Sequence, residues 1–258
     1  MVFIALGLVI GVLSTIAGIG GGVFMVPLFY FLGLDISKAV GTSKFVIVFL
    51  SLIGAINYIR SRKVLFRISM MVLVGMIPFS YIGAYLSSAL DKTTLKLIVS
   101  VFIIYYGLRL LYSYIKRKYF SKKQQIQQDL NPPKNYDTKS KWYIVVATGC
   151  FSGLIAGLTG TGGGVVNMPL FLSVLRMPIH YAIATSTFII FPSSIVATIR
   201  HMIDNEINYA IALPFTIGAM IGANIGPRIA LSLKPQHLRF IVGIILLIAG
   251  IRMLATVF

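Results

Sequence analysis

The chain has 258 residues, 57% of them hydrophobic and only 11% charged, with a formal net charge of +17. A soluble domain carries about twice that charged fraction, so the composition excludes one and places the chain in a lipid bilayer. Nucleic acid is excluded as the reason for the charge, because the basic residues collect in short loops between apolar runs, with no interleaved aromatics or binding motif.

A membrane helix needs roughly 20 apolar residues. In chain order the candidates are residues 2–17, 39–59, 68–90 and 94–115, then 142–158, 181–199, 209–231 and 238–257. The first of these lacks the basic n-region of a signal peptide and has a counterpart in mid-chain, so it is read as structure. Shorter apolar pieces lie at 23–32 and 165–175. At about 1.5 Å per residue each reaches half-way across the hydrocarbon, which predicts half-helices. The lone Cys150 sits in an apolar run and permits no disulfide within the chain.

Both half-helices follow a glycine-rich stretch. Gly18-Ile19-Gly20-Gly21-Gly22-Val23 recurs 142 positions later as Gly160-Thr161-Gly162-Gly163-Gly164-Val165, and Pro27-Leu28-Phe29 recurs as Pro169-Leu170-Phe171. After a one-residue insertion the offset is 143, which places Thr42-Ser43 on Thr185-Ser186, Gly75 on Gly218, Gly83 on Gly226 and Arg109 on Arg252. The chain therefore divides into a first transmembrane repeat (1–115), a polar linker (116–141) and a second repeat (142–258). The linker's eight Lys and Arg residues place it in the cytoplasm.

Orientation turns on whether each glycine-broken pair crosses the membrane or enters and returns. If it returns, Arg176, Arg228, Lys234 and Arg239 lie inside and only Arg200 outside, the distribution the positive-inside rule favours. The expected fold is thus an all-α integral membrane protein of two inverted-topology repeats. Each repeat has three full transmembrane helices and a glycine-broken re-entrant pair, about eight spans in all, with both termini extracytoplasmic.

A helix that begins inside the bilayer leaves its first N–H groups unpaired and presents the positive end of its dipole, so its preferred guest is an anion. Gly20, Gly21, Gly22, Gly162, Gly163 and Gly164 are the candidate donors. Close helix packing is the alternative, and it suits Gly7, Gly11, Gly75 and Gly83 better than three glycines in a row. Thr42, Ser43, Thr185 and Ser186 recur at matching places and are candidates to complete the site, although most such hydroxyls bond to a helical turn. Lys44, about five residues inside its span, either adds charge to the site or snorkels outward. His201 is a candidate for proton coupling. The six acids, Asp35, Asp91, Asp129, Asp137, Asp204 and Glu206, all fall in predicted loops, so no carboxylate relay or carboxylate metal site is expected.

The two glycine motifs with their downstream Pro-Leu-Phe, together with Gly41-Thr42-Ser43 and Ala184-Thr185-Ser186, resemble the TauE/SafE family of sulfite exporter-like permeases over nearly the whole chain except the linker. The resemblance implies transport of sulfur anions such as sulfite, sulfoacetate or related sulfonates, in either direction and without ATP hydrolysis. The reading is a multi-pass plasma-membrane carrier of a small anion working by alternating access, with no cofactor. The rivals are an anion channel, a non-transporting scaffold and an intramembrane enzyme. Against the last stand the absence of a zinc-protease helix motif, of a nucleophile elbow and of any intramembrane acid.

Overall fold

The computed structural model describes residues 1–120, 142–173, 175, 177–232 and 236–255. Among these the chain forms ten helices: α1 Val2–Ala17, α2 Gly22–Phe31, α3 Ile36–Arg60, α4 Phe66–Ala89, α5 Lys92–Phe120, α6 Trp142–Thr159, α7 Gly164–Ser173, α8 Ile179–Ile203, α9 Tyr209–Ser232 and α10 Gln236–Ala255. Helix α5 runs past residue 116, where the sequence places the start of the linker. Residues 121–141 of that linker, with Arg176 and Lys234, lie outside the described residues.

Five of the described helices are long and apolar enough to cross a membrane, over Ile36–Arg60, Phe66–Ala89, Trp142–Thr159, His180–Ile203 and Tyr209–Ile229. Helix α1 has the bounds expected from the sequence, 16 residues, and Gly18 ends it in a left-handed conformation in the interior, so it falls among the shorter apolar helices rather than the full-length ones. The two expected half-helices form as α2 and α7, ten residues each.

Small residues set the helix pairing. A β-carbon at Gly7 would meet the Phe215 carbonyl, one at Gly11 the Ala219 carbonyl, and one at Gly218 or Gly222 the carbonyl of Ile4 or Leu8. Contacts that advance together along both helices make α1 and α9 a parallel pair in backbone contact, the small-residue seam of membrane helices. Helices α4 and α6 form the same kind of pair, with Gly149 on Val72, Gly153 on Met76 and Gly157 on Ser80. In each case the first helix of one half of the chain packs on a helix of the other half.

Helices α3 and α8 run in opposite directions. Gly41, near the start of α3, abuts the Glu206 carbonyl beyond the end of α8, while Thr185, near the start of α8, bonds to Leu65 beyond the end of α3. The ring of Phe45 in α3 meets that of Tyr209 at the start of α9, 5.7 Å between centroids. Since α1 runs parallel to α9, the starts of α1, α3 and α9 share one end of the molecule. The chain from Met1 to Leu34 therefore travels inward along α1 and returns along α2 to the end it left.

Candidate functional site

The two glycine-rich turns meet at the centre. Gly20 and Gly162 have φ of 87° each, Gly21 has 77° and Gly163 79°, a left-handed region that side chains avoid. A β-carbon at Gly20 would lie 3.2 Å from Gly162 Cα, and one at Gly162 would lie 3.3 Å from Gly20 Cα. One at Gly22 would strike the Gly160 carbonyl, and one at Gly164 the Gly18 carbonyl. The turns can touch only because they lack side chains, which is the close packing that the sequence offered as the alternative to ligand approach.

The helix starts beyond these turns are polar and closed off from solvent. Phe24 and Met25 donate to the Gly21 carbonyl, and Val166 and Asn167 to the Gly163 carbonyl. Among the described residues no protein acceptor pairs with the N–H groups of Gly20, Gly21, Gly22 and Val23, or of Gly162, Gly163, Gly164 and Val165. All eight residues are buried. Two unfilled sets of donors at two helix N-termini, inside an apolar core, give a positive local potential without a formal charge.

The four recurring hydroxyls brace this centre. Ser43 Oγ is 3.1 Å from the Gly160 carbonyl oxygen and Ser186 Oγ 2.7 Å from that of Gly18. Asn208 N–H donates to Thr42 Oγ1 at 3.0 Å, and Leu65 N–H donates to Thr185 Oγ1 at 3.1 Å. Ser186 therefore holds the carbonyl that opens the first glycine turn, Ser43 shares its one proton between the Gly160 carbonyl and the nearer Val40 carbonyl at 2.7 Å, and each Thr accepts from the residue just before α9 or α4. Replacing Ser186 by Ala should lower stability by about 1 kcal/mol, the usual worth of one internal hydrogen bond. Ser43→Ala should do the same, read as a fall in the thermal unfolding midpoint in detergent; an unchanged midpoint in both would contradict the bracing role.

Lys44 follows Ser43 in α3. It is wholly buried, and among the described residues its Nζ has no hydrogen-bond or ionic partner. It does not snorkel to a surface. An isolated buried ammonium is costly, and a counter-charge or a lost proton must relieve it. Asn167, in the first turns of α7, is buried with Oδ1 unpartnered and only a 3.9 Å contact from Nδ2 to Met76 Sδ. Motif spacing alone does not single it out. The signal available was a polar residue where the first half carries Met25.

His201 lies in the last turn of α8 and is also buried, with Nδ1 2.7 Å from Glu206 Oε2. Asp204 and Glu206, expected as solvated loop acids, are instead mostly covered, with side chains 17% and 13% exposed. The turn that carries them folds back onto α4, where Ser88 meets both carboxylates.

Residues 3–253 match the family described as Sulfite exporter TauE/SafE. The chain belongs to that family. It is 29% identical to YunE, a probable membrane transporter protein of Bacillus subtilis, over 98% of this chain and 97% of YunE. With MJ0441, a probable membrane transporter protein of Methanocaldococcus jannaschii, it shares 27% identity over 97% of this chain and 94% of that one. No solved structure matches it. As a TauE/SafE member the chain is a multi-pass membrane transporter and not an enzyme, which agrees with the reading of its composition and motifs.

Proposed function

We propose that this protein is a secondary carrier of small sulfur oxyanions, sulfite or a sulfonate, which it holds at the crossed glycine turns and moves by alternating access. The observation that carries this reading is Lys44, a wholly buried ammonium without a protein counter-charge. Lys44 stands one helical turn beyond Val40, whose Cα lies 3.1 Å from a β-carbon placed at Gly160, so it starts from the face of α3 that packs on the second glycine turn. An anion satisfies both the ammonium and the unfilled N–H groups at once. Gly20, Gly21, Gly22, Gly162, Gly163 and Gly164 supply backbone donors, Lys44 the charge and Asn167 an amide, while Thr42, Ser43, Thr185 and Ser186 hold the turns in place.

Two inverted repeats make the movement. The opposed α3 and α8, the crossed pairs α1 with α9 and α4 with α6, and the return of the chain along α2 all support an odd number of crossings per half. The halves are then upside down relative to each other, with the linker cytoplasmic and the termini extracytoplasmic, and rocking one half on the other exposes the centre to each side in turn. Purified protein in liposomes loaded with unlabelled sulfite should take up external labelled sulfite in a saturable manner, faster than liposomes loaded with buffer. Linear uptake, indifferent to internal sulfite, would point to a channel instead.

A further inference from the structure

We infer that His201 and Glu206 form a proton-binding site, coupled to the anion centre by a polar file along α8, so that a proton moves with the anion. The inference rests on the carrier reading above. It begins with the hydrogen-bond count. Ser88 Oγ lies 2.6 Å from Asp204 Oδ2, 3.1 Å from Glu206 Oε2 and 3.2 Å from the Ala84 carbonyl, yet has one proton to give. Arg200 Nη2 donates to Asp204 Oδ1 at 2.6 Å. With the Ser88 proton directed to the nearer Asp204, the donor left for Glu206 Oε2 among the described residues is His201 Nδ1, at 2.7 Å.

Charge points the same way. One guanidinium against two carboxylates leaves the cluster at a net charge of −1 when His201 is neutral, and at zero when one further proton binds. The side chains of Arg200, His201, Asp204 and Glu206 are 19% exposed or less, so an uncompensated charge is costly in the closed packing. Titratable and charged groups face the cluster from two helices. Helix α4 brings Ser88, with Tyr81 and Tyr85 beneath Arg200. Helix α3 brings Gly41, with Lys38 and Lys44 about one turn to either side. Helices α1 and α7 carry no titratable side chain, and α6 only Tyr143 and Cys150.

A route joins this cluster to the centre. Ile190 of α8 packs on both turns, 3.3 Å from a β-carbon placed at Gly20 and 3.4 Å from one at Gly162. Ser194, Thr198 and His201 follow on the same face, within an arc of about 80° at 3.6 residues per turn. Ser194 Oγ, Thr198 Oγ1 and His201 Nε2 are all buried and all without a partner, as are Ser80 Oγ and Ser87 Oγ on the packed helix α4. A row of unpartnered buried polar groups calls for water or a moving proton between them. The matching face of α3 is closed. Ile47, Ser51, Ala55 and Tyr58 stand there, with Ser51 bonded back to its own helix and the Tyr58 hydroxyl donating to the Thr15 carbonyl at 2.8 Å. Of these two helices, α8 carries the open file and α3 does not.

The test is an inward sulfite gradient on proteoliposomes containing a trapped pH dye, with protein-free liposomes as background and labelled-sulfite counterflow measured in parallel. The wild type should acidify the lumen. Glu206→Gln and His201→Gln, each checked for a cooperative thermal transition in detergent, should lose that acidification while counterflow persists. Counterflow without acidification in the wild type overturns the inference and leaves the carrier standing. Acidification that survives in both variants also overturns it. Absence of counterflow in folded wild type removes the carrier reading and the inference with it.

Discussion

Gly22→Ala and Gly164→Ala are expected to abolish sulfite counterflow and to lower the thermal midpoint in detergent, although each adds a single methyl group. At Gly22 that methyl strikes the Gly160 carbonyl and lies 2.7 Å from its carbon and 2.8 Å from Thr161 Cα. At Gly164 it strikes the Gly18 carbonyl, 2.5 Å from Ile19 Cα and 2.9 Å from Ile19 C. Every obstructing atom is backbone, so no rotamer change relieves the contact and the two turns must separate. Overpacking costs about 1–3 kcal/mol where side chains can yield, and here the cost should sit at or above the top of that range. Gly33→Ala is the control. Gly33 has φ of 92° but nothing within 4 Å of an added β-carbon, so it should lose stability through backbone strain alone and keep transport. Equal transport losses at Gly22 and Gly33 would show that the crossing of the turns is not what matters.

Lys44→Met should separate function from stability. Methionine keeps most of the side-chain volume and removes an unpartnered buried charge, a change worth from nothing to about 4 kcal/mol in favour of the fold. The unfolding midpoint of the ligand-free protein should hold or rise. Sulfite counterflow should fall at least about tenfold, corresponding to the loss of roughly 1.4 kcal/mol of anion binding. A destabilised protein with normal counterflow would place Lys44 in the packing and outside the site.

The parts of this architecture legible in the sequence were those written in local spacing. Three glycines before a ten-residue apolar run announced α2 and α7, because an N-terminus inside a bilayer needs a turn that only glycine makes easily. The recurrence of Thr42-Ser43 at Thr185-Ser186 was equally plain. Its structural use was not, because the partners Gly160, Gly18, Asn208 and Leu65 lie more than a hundred residues away along the chain. Hydropathy put Asp204 and Glu206 in a loop, and they are in one; it says nothing of whether that loop turns to water or onto Ser88. Lys44 stood out as an intramembrane cation, but its lack of a counter-charge is a property of the packed fold. The bounds of α1 were legible too, since the glycines mark its end at Ala17, but apolar content alone grouped this 16-residue helix with the longer spans.

Selenite is a pyramidal oxyanion like sulfite, and its selenium scatters anomalously. Crystals grown with selenite give the most direct test of the central claim, that an anion is held where the glycine turns cross. The proposed carrier site predicts an anomalous peak one Se–O bond beyond hydrogen-bonding reach of the N–H groups at Gly22 or Gly164 and close to Lys44 Nζ, and its loss in Lys44→Met. A fully ordered centre without such a peak, or one that persists unchanged in Lys44→Met, would contradict it.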